Sequence, residues 1–314
     1  MNEFFRLRIR VWGLLTAAGA CGIVGSLAGF LGDFAWWMDL GSHFRVQYVL
    51  LFSVLGVCFW LGRRRRWAFT YLTLAIINAI PISLYLLPLA EDLTDTGSLI
   101  RTMQVNVNTQ HGNPERVMES IREESPDVVM LEEINDKWLK ALSPLMKEYP
   151  YRLVEARDDN FGIGLLSRIP LTTTQIVYFG FAEVPSIIAT STSLTIVATH
   201  PLPPGGPEYS SYRNEQLKDI ADKVRTIKGA VVLIGDLNVT PWSPHYRRFA
   251  TISGLKNASE GRGIYPSWPS FSPLMMIPID HFLHSIGVSV HSVRIGSHVG
   301  SDHFPVIVDF AIDE

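Results

Sequence analysis

Cysteine is nearly missing from this chain. Cys21 and Cys58 are its two copies, and both fall within the first 90 residues. Residues 91–314 therefore carry no disulfide framework and no cysteine zinc site. Lysine is missing from residues 1–90, where eight arginines stand against three acids, Glu3, Asp33 and Asp39. No Gly-x-x-x-x-Gly-Lys phosphate loop, Gly-x-Ser-x-Gly nucleophile elbow or His-Glu-x-x-His zinc pair occurs. The matching chemistries have no support in the sequence. No internal repeat or low-complexity segment is visible.

What is present divides unevenly along the 314 residues. The N-terminal 90 carry a charge of about +5 and the remainder, with 19 basic and 27 acidic residues, about −8. That acidity argues against a broad non-specific nucleic-acid groove. The mean hydropathy of +0.17 is high for a soluble enzyme, and the excess sits in residues 1–90. Val11–Leu31, Val46–Gly62 and Trp67–Ala90 read as three transmembrane helices, against a crossing length of ~30 Å. Arg6, Arg8 and Arg10 precede the first, and Arg63–Arg66 lie between the second and third. Asp33, Asp39, His43 and Arg45 separate the first two, and Glu91, Asp92 and Asp95 follow the third. The positive-inside rule then places the N-terminus in the cytoplasm and everything after residue 90 outside the plasma (inner) membrane. The expected division is a membrane region 1–90, a linker 91–98 and a domain 99–314.

The domain alternates short apolar runs with amphipathic segments. Ala230–Asn238 is the most informative: Val231–Ile234 reads as a strand buried on both faces, Gly235 as the residue that ends it, and Asp236 and Asn238 as polar groups delivered to one side at its rim. Leu99–Asn108, Val128–Leu131, Ser193–Ala198, Ile279–Leu283, Val288–Ile295 and Val306–Phe310 read as further strands. Gly162–Leu166 and Leu171–Phe179 read as a hairpin. Helices are expected from Asn113-Pro114-Glu115 to Ser125, over Asn135–Met146 and over Asn214–Ile227. Several strands are too closely linked for helical crossovers, so a mixed sandwich is expected rather than a doubly wound parallel sheet. A polar set recurs at strand ends: Asn106, Glu133, His200, Asp236, Asn238, Asp280, Asp302 and His303. Singly, each is an ordinary turn or helix-start residue. Together, oxygen ligands and imidazoles without thiols suit a hard cation and an acid/base histidine.

With these residues in view, the sequence resembles the endonuclease/exonuclease/phosphatase superfamily over about residues 100–312. The motifs are Val-Asn106-Val, Pro-Asp-Val-Val-Met-Leu-Glu-Glu133, Ala-Thr-His200-Pro, Gly-Asp236-Leu-Asn238, Ile-Asp280-His and Gly-Ser-Asp302-His303-Phe-Pro, in that order. The resemblance implies an α+β fold: N-terminal transmembrane helices followed by a four-layer α/β/β/α sandwich of two mixed sheets. It implies metal-assisted hydrolysis of a phosphoester. Glu133 would hold Mg²⁺ (or Mn²⁺), with Asn106 and Asp302 near it. His303, oriented by Asp280, would take the proton of the attacking water. Asp236 and Asn238 would position water and non-bridging oxygens, and His200 would steady developing charge. Glu132 stands where the family usually has Gln, which leaves open which of Glu132 and Glu133 meets the metal. Asn160 and Arg213 are candidate substrate contacts.

Three readings follow: a membrane-anchored hydrolase of lipid or envelope phosphoesters, an extracytoplasmic nuclease acting on DNA, and a non-catalytic metal-binding or scaffolding domain. The expected partners are the phosphoester (lipid, envelope component or nucleic acid) and the lipid bilayer, with no obligate protein partner. Tyr265–Pro278 places Trp268, Phe271, Leu274, Met275, Met276 and Ile277 among four prolines. It reads either as a patch for bilayer contact or as part of the domain's own core.

Overall fold

The computed structural model describes residues 11–88 and 98–313. Arg6, Arg8 and Arg10, and residues 91–97 of the expected linker with Glu91, Asp92 and Asp95, lie outside the described residues. The chain divides into two units, Met1–Ser83 and Leu84–Glu314.

The first unit is helical. Its elements are α1 (Val11–Phe30), α2 (Trp36–Ser42), α3 (Arg45–Leu61) and α4 (Arg65–Ala79). A short 3₁₀ turn over Ile80–Ile82 leads into α5 (Ser83–Leu86), which runs across the division. Val11–Phe30 and Arg65–Leu86 are long and apolar enough to cross a membrane. The pair α2 and α3, bent by 61°, qualifies as a third candidate when counted as one span. Phe52, Leu55 and Phe59 of α3 pack against Ala68, Tyr71 and Ala75 of α4. The buried stripe of α1 is small, comprising Gly19, Gly22, Ser26 and Gly29. At Gly29 a β-carbon would lie 2.5 Å from the Gly41 backbone, so glycine is what permits that approach. Arg45, expected between spans, is instead buried, with Nη1 donating to Asn78 Oδ1 (2.8 Å) and to the Ser26 carbonyl (3.2 Å).

The second unit is an α+β sandwich of two mixed sheets. Its elements in chain order are β1 (Ile100–Asn106), α6 (Pro114–Glu124), β2 (Val128–Glu132), α7 (Asp136–Ala141), α8 (Ser143–Met146), β3 (Tyr151–Glu155), β4 (Ile163–Ser167), β5 (Thr173–Tyr178), β6 (Pro185–Thr190), β7 (Leu194–Thr199), α9 (Pro207–Val224), β8 (Ala230–Asp236), α10 (Pro244–Ser253), β9 (Lys256–Asn257), β10 (Asp280–His284), β11 (Val288–Ile295) and β12 (Val306–Ile312). One sheet has the order β11-β12-β1-β2-β4-β3, the other β5-β6-β7-β8-β10-β9. Two pairs are parallel, β1 with β2 and β7 with β8. The remaining pairs are antiparallel.

Alternation along each strand feeds two cores. Val128 and Met130 of β2 meet Val232 and Ile234 of β8 between the sheets. Val129 and Leu131 face Val117, Ile121 and Trp138 of α6 and α7. Val231 and Leu233 face Leu217, Ile220 and Phe249 of α9 and α10. Both faces of these strands are buried, which is why they read as continuous apolar runs.

Three sequence expectations need correction. Gly162–Leu166 and Leu171–Phe179 do not form a hairpin. β4 pairs with β2 and β3, whereas β5 pairs with β6, so Ser167–Pro170 carries the chain from one sheet to the other. Gly235 lies inside β8 rather than ending it. A β-carbon there would sit 1.8 Å from the Thr199 carbonyl oxygen, so glycine is required by the close approach of β7. Helix α9 starts at Pro207, seven residues before Asn214, because a proline at the first helical position follows Gly206.

His281 shows how tightly the second unit fixes a titratable group. It is buried, with Nε2–H donating to the Val239 carbonyl (2.8 Å) and Nδ1 accepting from Asn257 Nδ2 (3.2 Å). Burial lowers its pKa from 6.5 to about 4, so the fold holds it neutral. Below pH 6.5 the unfolded chain takes up a proton that the folded chain refuses. The stability held above that pH is thus lost as pH falls towards 4. From this group alone, full-length protein in detergent should lose roughly 2 kcal/mol of urea stability between pH 7 and pH 5. His281→Gln should flatten that slope; an unchanged slope would contradict the assignment.

Candidate functional site

The two parallel pairs gather the polar set. β1 and β2 end together, with Asn106 opposite Glu132. β7 and β8 also end together, which brings His200 beside Asp236. β10 runs the other way, so its first residue, Asp280, lies opposite Asp236. The turn before β12, which is antiparallel to β1, supplies Asp302 and His303.

His303 is the centre of this arrangement. Its Nδ1–H donates to Asp280 Oδ2 at 2.8 Å, and its Nε2 lies 3.7 Å from Asp236 Oδ2. His200 Nε2 lies at the same distance from that oxygen. Asp236 Oδ1 accepts the Asn238 backbone N–H (2.8 Å), and the Asn238 amide donates to the Pro201 carbonyl (2.9 Å). This is a local Asx turn, which places Asn238 in the left-handed region at φ +51.

Glu132 and Glu133 separate as alternation requires. Glu132 is buried between the sheets, where Oε1 accepts the Asp236 N–H (2.7 Å) and Oε2 accepts from Gln104 Nε2 (3.1 Å). The same Gln104 nitrogen donates to Asp280 Oδ1 at 2.8 Å. Glu133, with φ +61, turns to the other side. Its Oε1 accepts from Asn106 Nδ2 (3.1 Å), and Thr109 Oγ1 donates to its carbonyl (2.5 Å). Asp302 is held by Asn108 Nδ2 (2.7 Å) on one oxygen and Trp268 Nε1 (3.0 Å) on the other.

Arg213 is buried, its guanidinium donating to the Asn238 carbonyl (3.0 Å) and to Asn214 Oδ1 (2.8 Å). It braces the Asp236–Asn238 turn. Asn160 is exposed at φ +68, next to Phe161, whose ring lies 5.5 Å from that of His200. Sequence reasoning passed over Gln104, Asn108, Thr109 and the Trp268 contact with Asp302. Gln104 shares its strand with Arg101, Thr102 and Asn106, so its amide did not stand out.

The electrostatics are dominated by carboxylates. Burial, then Asp280 and Asp236, push Glu132 well up. Burial and Asp280 push Asp236 up, against His303 and the Asn238 N–H. Burial also raises Glu133, partly offset by the Asn106 hydrogen bond and by His303. Burial would lower His303, but the charge and hydrogen bond of Asp280, with Asp236 and Asp302, raise it to about 10. Burial and the neighbouring His303 lower His200 to about 4, so it stays neutral. Burial works to raise Asp302, yet His303 and the bonds from Asn108 and Trp268 hold it below the usual range.

Buried carboxylates raised by burial and by one another, with oxygen and imidazole donors and no thiol, fit a hard divalent cation. Asp236, Asp280 and His303 present ligand atoms within 4.8 Å of one another. Asp280 is engaged with Gln104 and His303, and Asp236 with Asn238 through Oδ1. Glu133 accepts from Asn106 Nδ2 (3.1 Å) on one oxygen and from the Thr109 N–H (3.4 Å) on the other.

Comparison with curated proteins gives no match. Among solved structures, an endonuclease/exonuclease/phosphatase from Beutenbergia cavernae is similar, with 18% identity, a TM-score of 0.56, and 68% of this chain and 72% of that one covered. The human Nocturnin catalytic domain with bound sulfate shows 21% identity and a TM-score of 0.55, covering 68% and 94%. TDP2 of D. rerio, complexed with a single-strand DNA product, shows 16% identity and a TM-score of 0.57, covering 68% and 99%. These likenesses establish a shared fold. The model of the endonuclease/exonuclease/phosphatase family matches residues 103–303, which covers every position gathered above. The chain belongs to the endonuclease/exonuclease/phosphatase family of phosphoester hydrolases.

Proposed function

We propose that this protein is a membrane-anchored, divalent-metal-dependent hydrolase of phosphoesters. Residues 1–90 anchor it through three spans, 91–98 tether it, and 99–314 form an extracytoplasmic catalytic domain. The observation that carries the reading is the 2.8 Å bond from His303 to Asp280 among mutually destabilised carboxylates. A histidine held this way by a buried carboxylate has a fixed tautomer, and its Nε2 is left to face the reacting atoms.

In this reading His303, held protonated among the bare carboxylates and lowered once a bound cation would offset their charge, takes a proton from the attacking water at Nε2. Asp280 fixes the ring and stabilises the imidazolium that forms. Asp236, 3.7 Å from both imidazoles, positions that water. Neutral His200 presents a hydrogen-bonding edge to the phosphoryl oxygens, and the Asn238 turn, braced by Arg213, sets its neighbour Asp236. Glu133 and Asn106, with Asp302 beside them, would hold Mg²⁺ or Mn²⁺, which when bound polarises the phosphoryl group. Asn160 stands at the rim, beside Phe161, as a substrate contact.

Full-length protein in detergent is expected to hydrolyse bis-p-nitrophenyl phosphate. His303→Ala, Asp236→Ala and Glu133→Ala should each lower kcat by ~10²–10⁴-fold with the fold retained by circular dichroism. EDTA should abolish turnover, and Mg²⁺ or Mn²⁺ should restore it. Chelator-resistant activity, or full activity in His303→Ala, would defeat the mechanism.

Topology has its own test. A C-terminal phosphatase reporter should be active outside the cytoplasm, and protease added to spheroplasts should remove a C-terminal tag. A tag protected in intact spheroplasts would reverse the orientation.

A further inference from the structure

We infer that the tip of the 265–278 loop, Phe271–Met275, is a bilayer-contacting rim of the active site. The inference rests on the membrane-anchored reading above.

Both ends of the loop are built into the domain. Ser267, Pro269, Ile277 and Pro278 are buried. Trp268 and Ile277 bridge the two ends, with Ile277 N–H donating to the Trp268 carbonyl at 2.6 Å. Between them the tip stands out in solvent. Phe271 is 78%, Leu274 83% and Met275 47% exposed. Three large apolar side chains held together in water on a loop so firmly anchored forgo the free energy that an apolar surface receiving them would supply.

The loop is also wired to the catalytic residues. Trp268 Nε1 donates to Asp302 Oδ2 (3.0 Å), Ser270 N–H donates to the Asp302 carbonyl (2.7 Å), and Phe304 N–H donates to the Ser267 carbonyl (2.9 Å). The Trp268 and His303 rings lie 6.3 Å apart. The exposed tip therefore borders the mouth of the site.

What the tip meets is indicated by Leu84 and Tyr85, both in the second unit. They close the apolar segment Arg65–Leu86. Gly261 N–H donates to the Leu84 carbonyl (3.0 Å), and the Tyr85 ring stands edge-on to Trp242, with centroids 6.1 Å apart. Tyr85 and Trp242 line one small cavity with Tyr265 and Pro278, the first and last residues of the loop. The loop thus springs from the place where the chain leaves its last apolar stretch. In the anchored reading, an aromatic and thioether tip on a loop rooted beside that exit fits the headgroup and upper acyl region of a bilayer. The site it borders would then receive phosphoesters carried at a lipid surface.

The test uses full-length protein with Cys21 and Cys58 replaced by Ala, reconstituted in vesicles of phosphatidylcholine and phosphatidylglycerol. An environment-sensitive fluorophore is placed at Leu274→Cys, Val24→Cys or Ile286→Cys, and quenching by shallow doxyl-labelled lipid is read at each. Val24 is an exposed residue of α1 and reports anchoring alone. Ile286 is 89% exposed and lies just past the end of β10 opposite Asp280, away from the loop. Quenching at Val24 and at Leu274, each at least about twofold stronger than at Ile286, is expected of a tip in the interface. Quenching at Val24 with Leu274 no different from Ile286 overturns the inference and leaves anchoring intact. So does a Leu274 probe that is shielded from water yet insensitive to doxyl lipid, because protein would then cover the tip. No quenching at Val24 removes the anchoring reading itself. None of these outcomes depends on catalysis.

Discussion

The second unit is organised around a buried hydrogen-bonded link between its sheets. Gln104 of β1 reaches Glu132 of β2 and Asp280 of β10, and Glu132 in turn accepts the Asp236 N–H of β8. The central strands of both sheets are thus fixed to one another through three polar side chains in a region otherwise filled with apolar ones. Gln104 aims its nitrogen at both carboxylates and leaves its oxygen buried without a hydrogen-bond partner among the described residues. A buried unpaired acceptor costs roughly 1–3 kcal/mol. The fold tolerates this because the same amide determines where the Asp280 carboxylate points, and hence the orientation of His303.

Gly235 belongs to the same constraint. The Glu132 carboxylate reaches the Asp236 N–H only because β8 passes the end of β7 with no side chain between them, and a β-carbon at Gly235 would meet Thr199 backbone and lie 3.3 Å from Glu132 Oε1. Glu132 therefore serves as a link between the sheets. Its partner at 133 is released to the cleft by a left-handed backbone turn, and the Thr109 hydroxyl bonded to its carbonyl holds that turn. Two adjacent glutamates so acquire different jobs from one backbone reversal.

Much of this was legible in the sequence. Apolar runs without alternation gave the central strands, since both faces are buried. Polar residues at the ends of those runs pointed to the set that the structure gathers, because these parallel pairs finish side by side. What stayed hidden depends on pairing that local sequence does not encode. Gly162–Phe179 has the spacing of a hairpin, and only the packing of two sheets reveals a crossing between them. The strands β3 and β6 went unread because their residues carry no stronger pattern than the loops beside them. Gln104 gave no local sign of its role, as its two carboxylate partners lie 28 and 176 positions away. Arg213, taken for a substrate contact from its type, is buried behind the turn it supports.

The apolar rim and the acidic centre are two halves of one energetic problem. Glu132, Glu133 and Asp236 are raised by burial, which means their charged forms are disfavoured in the isolated domain. Phe271, Leu274 and Met275 are likewise disfavoured where they stand in water. The three cores, one between the sheets and one outside each, supply the stability that carries both. In the proposed reading a cation would relieve the first cost and a lipid surface would take up the second group, and the Trp268–Asp302 bond joins the two places. Sites that depart from the rules of burial in opposite senses, side by side, are completed by what they bind. An acidic cleft alone would suit many soluble phosphoesters. Bordered by an apolar tip, it would suit, in the reading proposed above, a phosphoester whose other end lies in hydrocarbon.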